Sequence, residues 1–113
     1  MAKLTTRKDD GFVEFVCDQL EEFEIVTYKS MFGGYGIYCG DIFFAIVFDG
    51  RLYFKTDAES QKKYESWDSE PFQPNAKQRL KSYYEVPVEI LEDASKLVEW
   101  AEEAYGAATA AKE

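Results

Sequence analysis

Apolar residues recur at helical spacing in the segment DGFVEFVCDQLEEF. Phe12, Phe15, Val16, Leu20 and Phe23 fall on one face, while Glu14, Asp18, Glu21 and Glu22 take the other. The pattern predicts a helix over residues 10–23, with Asp9 or Asp10 as its N-terminal cap. From Ile25 the period falls to two. Ile25, Thr27, Lys29 and Met31 alternate with Val26, Tyr28, Ser30 and Phe32 in a run rich in β-branched and aromatic residues. YGIYC then places Tyr35, Ile37 and Cys39 on one face, and Gly40-Asp41 marks a tight turn. Ile42 to Phe48 is apolar without a break, and Asp49-Gly50 separates it from the alternating run RLYFK. An Asp-Gly pair between two such runs signals a hairpin, because a type I′ turn needs positive φ at both central residues.

Thr56 or Asp57 can cap a second helix, AESQKKYESW. Pro71 and Pro74 indicate a loop over residues 68–77, and QRLKSYYE reads as a fifth strand, 78–85. Pro87 ends it and suits the start of a short helical turn in VPVEIL. Asp93 is positioned to cap the last helix, ASKLVEWAEEAYG, whose apolar stripe is Leu97, Trp100, Ala101, Ala104 and Tyr105. Gly106 is a natural C-cap, although the alanines beyond it can carry the helix onward. The order α-β-β-β-β-α-β-α specifies an α+β domain. One antiparallel sheet of about five strands, a meander plus one later strand, packs with three helices. The chain reads as a single domain over 1–113, with residues 1–9 and 107–113 expected to be loose.

The formal charge of −9, from 22 acidic and 13 basic residues, opposes long-range attraction to nucleic acid or an anionic membrane. The absence of histidine excludes Ser-His-Asp and Cys-His catalysis and histidine-ligated metals. No apolar run approaches the ~18–20 residues that span a bilayer, and the N-terminal residues hold no secretory h-region. A cytoplasmic location is therefore expected, with Cys17 and Cys39 as reduced thiols of structural type.

Gly33-Gly34-Tyr35-Gly36 invites comparison with a phosphate-binding loop. That chemistry needs a helix N-terminus, or a Lys-Ser or Lys-Thr pair, after the glycines. A strand follows here instead. The structural reading is preferred: Gly33-Gly34 turns the chain with positive φ, and Gly36 makes room for a large neighbour or a bulge. The same residues carry a resemblance. MFGGYGIY, a Gly-Asp turn, FFAIVFDGRLYFKTD and SYYEVPVEIL resemble the N-terminal domain of the TfoX (Sxy) family, regulators of bacterial DNA competence. The likeness runs from about Phe12 to Tyr105. It implies a secretion-chaperone-like α+β fold and a role in competence-gene activation alongside a cyclic-AMP receptor protein. Longer family members have a second, C-terminal domain, so this chain reads as a short, stand-alone member. Met31, Phe32, Gly33, Gly34, Tyr35 and Gly36 form the motif, taken as a structural turn.

Carboxylate pairs such as Asp9-Asp10, Glu21-Glu22, Glu92-Asp93 and Glu102-Glu103 fall on solvated helix faces or at caps. No catalytic residue, cofactor or metal is assigned, and the chain reads as a non-enzyme. Lys77, Arg79, Lys81 and Tyr83 share one face of the fifth strand by period two, a basic stripe ending in an aromatic. It suits weak nucleic-acid contact, but protection of a sheet edge against aggregation is preferred. Strand 42–48 looks apolar on both sides: Ile42, Phe44, Ile46 and Phe48 against Phe43, Ala45 and Val47. Such a strand wants cover on both faces; the three helices of the chain are the slightly preferred source, and a second copy is the alternative, with Phe43 and Val47 as the candidate self-association face. The expected partners are a protein, with the transcription machinery as first candidate, and a second copy of the chain; neither a membrane nor tightly bound DNA is expected. An aromatic pocket near Tyr35, Tyr38 and Tyr53 is the alternative, as a ligand or enzyme site.

Overall fold

The computed structural model describes residues 10–31, 33–75 and 78–112, and for 74, 75, 78–81 and 112 the backbone course alone. It opens with helix α1 (Asp10–Gln19). The buried stripe is Val13, Val16 and Leu20, rotated from the expected one, and Phe15 is left 41% exposed. The helix also ends sooner than expected. Leu20, Glu21 and Phe23 donate to carbonyls three residues back, at 2.9–3.2 Å, which tightens the last turn. That turn aims Phe23 at Phe44 and Tyr105, with ring centroids 5.7 and 6.2 Å away.

Four strands follow as a meander: β1 (Thr27–Met31), β2 (Gly34–Cys39), β3 (Ile42–Phe48) and β4 (Arg51–Lys55). Asp49 and Gly50 have φ of 54° and 75°, and Phe48 pairs with Arg51. The Asp-Gly tip is thus the two-residue turn with both central residues left-handed. Helix α2 (Ala58–Ser66) starts from a reciprocal capping box. Ser60 N–H donates to the Asp57 carboxylate at 2.8 Å, and Asp57 N–H donates to Ser60 Oγ at 2.9 Å.

The expected loop 68–77 contains a strand instead, β5 (Pro71–Asn75), antiparallel to β6 (Gln78–Glu85). Its prolines are tolerated because it is an edge strand. What it gains is burial of Phe72, whose ring lies 4.8 Å from Tyr53 and 5.4 Å from Phe48. A short helix, α3 (Val88–Leu91), follows Pro87, and α4 (Ala94–Lys112) closes the chain. Asp93 accepts from Lys96 N–H at 3.2 Å, as a cap should. Helix α4 does not stop at Gly106. Residues 107–112 continue it, because alanine is the best helix former and Ala107 and Ala108 are buried.

Among the described residues there are therefore six strands and four helices. The sheet is open and antiparallel throughout, in the order β1-β2-β3-β4-β6-β5. The main core joins the helices to one sheet face through Val13, Val16, Leu20, Phe44, Leu52, Phe54, Tyr64, Leu97 and Trp100. A second cluster, made of strand residues alone, occupies the other face: Ile46, Tyr53, Phe72 and Tyr83, with Phe43 and Phe48 packed against it.

Candidate interaction surface

The glycine motif is built into the sheet. Gly33 turns the chain at φ 84° between β1 and β2. Phe32 lies outside the described residues. A Cβ on Gly34 would stand 2.1 Å from the carbonyl oxygen of Val47, so β2 and β3 approach there at a distance only glycine permits. A Cβ on Gly36 would meet Met31 Cε and Phe43 Cε1, both at 2.8 Å. The missing side chain is the space into which Met31 and Phe43 pack across the sheet. Tyr35 leaves the motif on the helix side. Its ring lies edge-on to Tyr28 at 5.2 Å and its hydroxyl donates to the Asp10 carboxylate, which ties the motif to the start of α1.

A bulge separates residues that the alternation had joined. Ile37 faces Ala45, but Tyr38 faces Phe43, so Phe44 is an extra residue in β3. Phe44 and Ala45 both join the helix-side core, and the period resumes out of phase. Phe43 and Val47, expected on one face, therefore lie on opposite ones. Val47 is wholly buried beneath the helices, and Phe43 is half-buried on the helix-free side. The apolar strand is covered from within the chain on both sides, since Ile46 opposite is also wholly buried.

The tyrosines of the expected pocket also separate, here by ordinary alternation, since Tyr35 and Tyr38 are three residues apart on β2. Tyr35 is on the helix side, Tyr38 packs on Phe43 at 5.3 Å, and Tyr53 packs on Phe72. No single pocket holds them. The helix-free face instead carries a ladder of rings, Tyr38, Phe43 and Tyr83, with successive centroids 5.3 and 5.5 Å apart. Lys29 Nζ lies 5.1 Å from the Tyr38 ring centroid, and Lys55 Nζ lies 5.3 Å from that of Tyr83 and donates to Ser82 Oγ at 3.0 Å. Burial, with a smaller contribution from Tyr38, pushes the Tyr83 hydroxyl up to about 12, so it is a neutral donor at physiological pH. A shallow cavity of about 280 Å³ opens at this end of the sheet, lined by Asp41, Phe43, Lys55, Tyr83 and Ala108 among others.

Of the basic stripe, Lys77 lies outside the described residues. Arg79 and Lys81 are placed on β6 by backbone only. Tyr83 is buried between Phe43 and Lys55, so its ring offers little open area for stacking a base. Cys17 and Cys39 are free thiols, half-buried, and desolvation raises the pKa of each above the ordinary thiol value. Among the described residues no group of three or more Cys, Asp or Glu side chains could hold a metal ion.

Two features escaped the sequence pattern. The bulge at Phe44 has no local signature in an unbroken apolar run. Burial of Phe72 was hidden by two prolines, although a lone Phe between them was a signal of an edge strand with one side indoors.

No curated protein matches the chain. The family model described as the TfoX N-terminal domain matches residues 18–108, which takes in the glycine motif, the Asp-Gly hairpin, the Tyr-Tyr-Glu-Val-Pro segment and most of α4. With a match over most of its length, the chain belongs to the TfoX N-terminal domain family.

Proposed function

We propose that this chain is a protein-interaction domain with a regulatory role, acting in competence-related transcription through a protein partner. The observation that carries the reading is the family match over residues 18–108. The non-enzymatic reading draws support from the same family. Among the described residues no helix is long and apolar enough to cross a membrane, which suits a partner in solution. The surplus of acidic residues favours a protein over nucleic acid as the direct contact. Self-association has Phe43 as its surface candidate, because Val47 is interior.

Affinity capture from native lysate tests this. Specific recovery of RNA polymerase or a transcription factor supports regulation through a partner. A metabolite retained by the purified chain, with no protein recovered, contradicts it.

A further inference from the structure

Helix α4 runs past Gly106 and brings Ala108 to one end of the sheet, where a cavity of about 280 Å³ opens. Its wall is apolar at Ile42, Phe43 and Ala108 and polar at Lys55 and Tyr83, with Asp41 also on it. Lys55 and Tyr83 are direct partners across β4 and β6, so both side chains stand on one face. Their surroundings hold them in place. The Thr56 N–H and hydroxyl both donate to the Ser82 carbonyl, at 2.7 and 3.0 Å, and Ser82 Oγ accepts from Lys55 Nζ at 3.0 Å. The Tyr83 ring lies 5.5 Å from that of Phe43 and 5.3 Å from Lys55 Nζ.

Donors are left over. Tyr83 is more than nine-tenths buried and lines the cavity, yet its hydroxyl has no hydrogen-bond partner among the described residues. The remaining N–H groups of Lys55 have no acceptor among those residues either, and no carboxylate there pairs with it. A buried donor without a partner carries a desolvation cost that a ligand oxygen removes.

We propose that this cavity binds a small monocarboxylate. Its oxygens accept from Lys55 Nζ and the Tyr83 hydroxyl, and a short apolar body lies against Ile42, Phe43 and Ala108. Burial keeps the Tyr83 phenol protonated, so it donates to an anion. Among the described residues Lys55 is the one cation of the wall, and Asp41 opposes it. That balance favours a monoanion over a phosphate or a dicarboxylate. The volume lies just below the ~300–1,000 Å³ usual for ligand sites, which limits the apolar body to a few carbons. A free short-chain acid and the C-terminus of a partner chain both offer this chemistry. The inference concerns the cavity alone and does not depend on the protein-interaction reading.

The test is a nitrogen-15 NMR titration of the full chain with sodium isovalerate. Saturable shifts are expected at Phe43, Lys55 and Tyr83. The neutral isostere isovaleramide should bind about tenfold more weakly, a comparison that reads the charge without any variant. Lys55→Gln and Tyr83→Phe should each weaken binding of the acid about tenfold. An acetyl-Ala-Ala-Val peptide with a free C-terminal carboxylate separates the sources. Binding at the same residues, tighter than isovalerate, assigns the site to a chain terminus; weaker binding assigns it to a free acid. No saturable shift at millimolar concentration, equal affinity for acid and amide, or shifts spread over other lysines and absent from the cavity would overturn the inference. Undiminished binding by both folded variants would overturn it as well.

Discussion

The place where Gly34 would carry a Cβ is 2.1 Å from the carbonyl oxygen of Val47. That oxygen belongs to the backbone of β3 and has no rotamer by which to retreat. Gly34→Ala must therefore push β2 and β3 apart, at a cost of about 2–3 kcal/mol. Gly33 has open space around it, and its constraint is φ 84° alone. Gly33→Ala should cost about 1–2 kcal/mol. Urea melts that rank the two the other way would show that the motif serves its turn more than its close approach.

Phe43→Asp and Val47→Asp should behave differently, because the bulge at Phe44 puts them on opposite faces. Val47→Asp buries a charge in the helix-side core and should cost more than about 4 kcal/mol, enough to unfold a domain of this size. Phe43→Asp should remain folded, as its side chain reaches solvent. Any self-association of the parent, measured by light scattering, is therefore tested by Phe43→Asp alone. Equal loss of circular dichroism signal in both variants would refute the bulge.

Tyr64 is wholly buried against Trp100 and Tyr84, and its hydroxyl has no partner among the described residues. Desolvation pushes its pKa far above the ordinary tyrosine value, with Glu103 adding to the effect. Removing an unsatisfied hydroxyl relieves a desolvation cost. Tyr64→Phe should leave stability unchanged or raise it by about 1 kcal/mol. A clear loss in thermal melts would mean that the hydroxyl is bonded in solution.

The Ser60 N–H, donating to Asp57, holds the Asp57 carboxyl below the usual carboxylate range. A lowered folded-state pKa contributes stability above the unfolded value of about 3.9, and that contribution is lost as pH falls through the folded value. Asp57→Ala should cost about 1 kcal/mol at neutral pH as a lost cap. Solvent screening keeps the electrostatic share small. The gap between parent and variant should narrow below about pH 3. A gap that widens in acid would reverse the sign of this argument.

The parts of the fold that were legible in the sequence are those whose signal is local. Asp49-Gly50 specifies its turn by two residues with positive φ, and Asp57 with Ser60 specifies a cap within one helical turn. The bulge at Phe44 was not legible, because seven apolar residues in a row give alternation no contrast. Strand β5 was not legible because its reason is tertiary: Phe72 finds Tyr53 and Phe48 only once the sheet has formed. Of the candidate surfaces, the glycine motif was readable as a turn with room for a neighbour at Gly36. The pairing of Phe43 with Val47 failed because period-two reasoning cannot see the phase shift at Phe44. Tyr35 and Tyr38, three residues apart on β2, fall on opposite faces by period two itself, so their separation was legible in the sequence.

Action through a protein partner, without tight direct contact to DNA, is the central claim, and a labelled promoter duplex tests it most directly. Among the described basic side chains, Lys29 and Lys55 on the helix-free face already lie against tyrosine rings. Lys63 is paired with Glu103 at 2.6 Å. Fluorescence anisotropy near physiological salt should show weak, salt-sensitive and sequence-independent binding, in the ~10⁻⁴–10⁻⁶ M range of non-specific complexes. A sequence-dependent dissociation constant below about 10⁻⁷ M would contradict the account and make DNA the direct ligand.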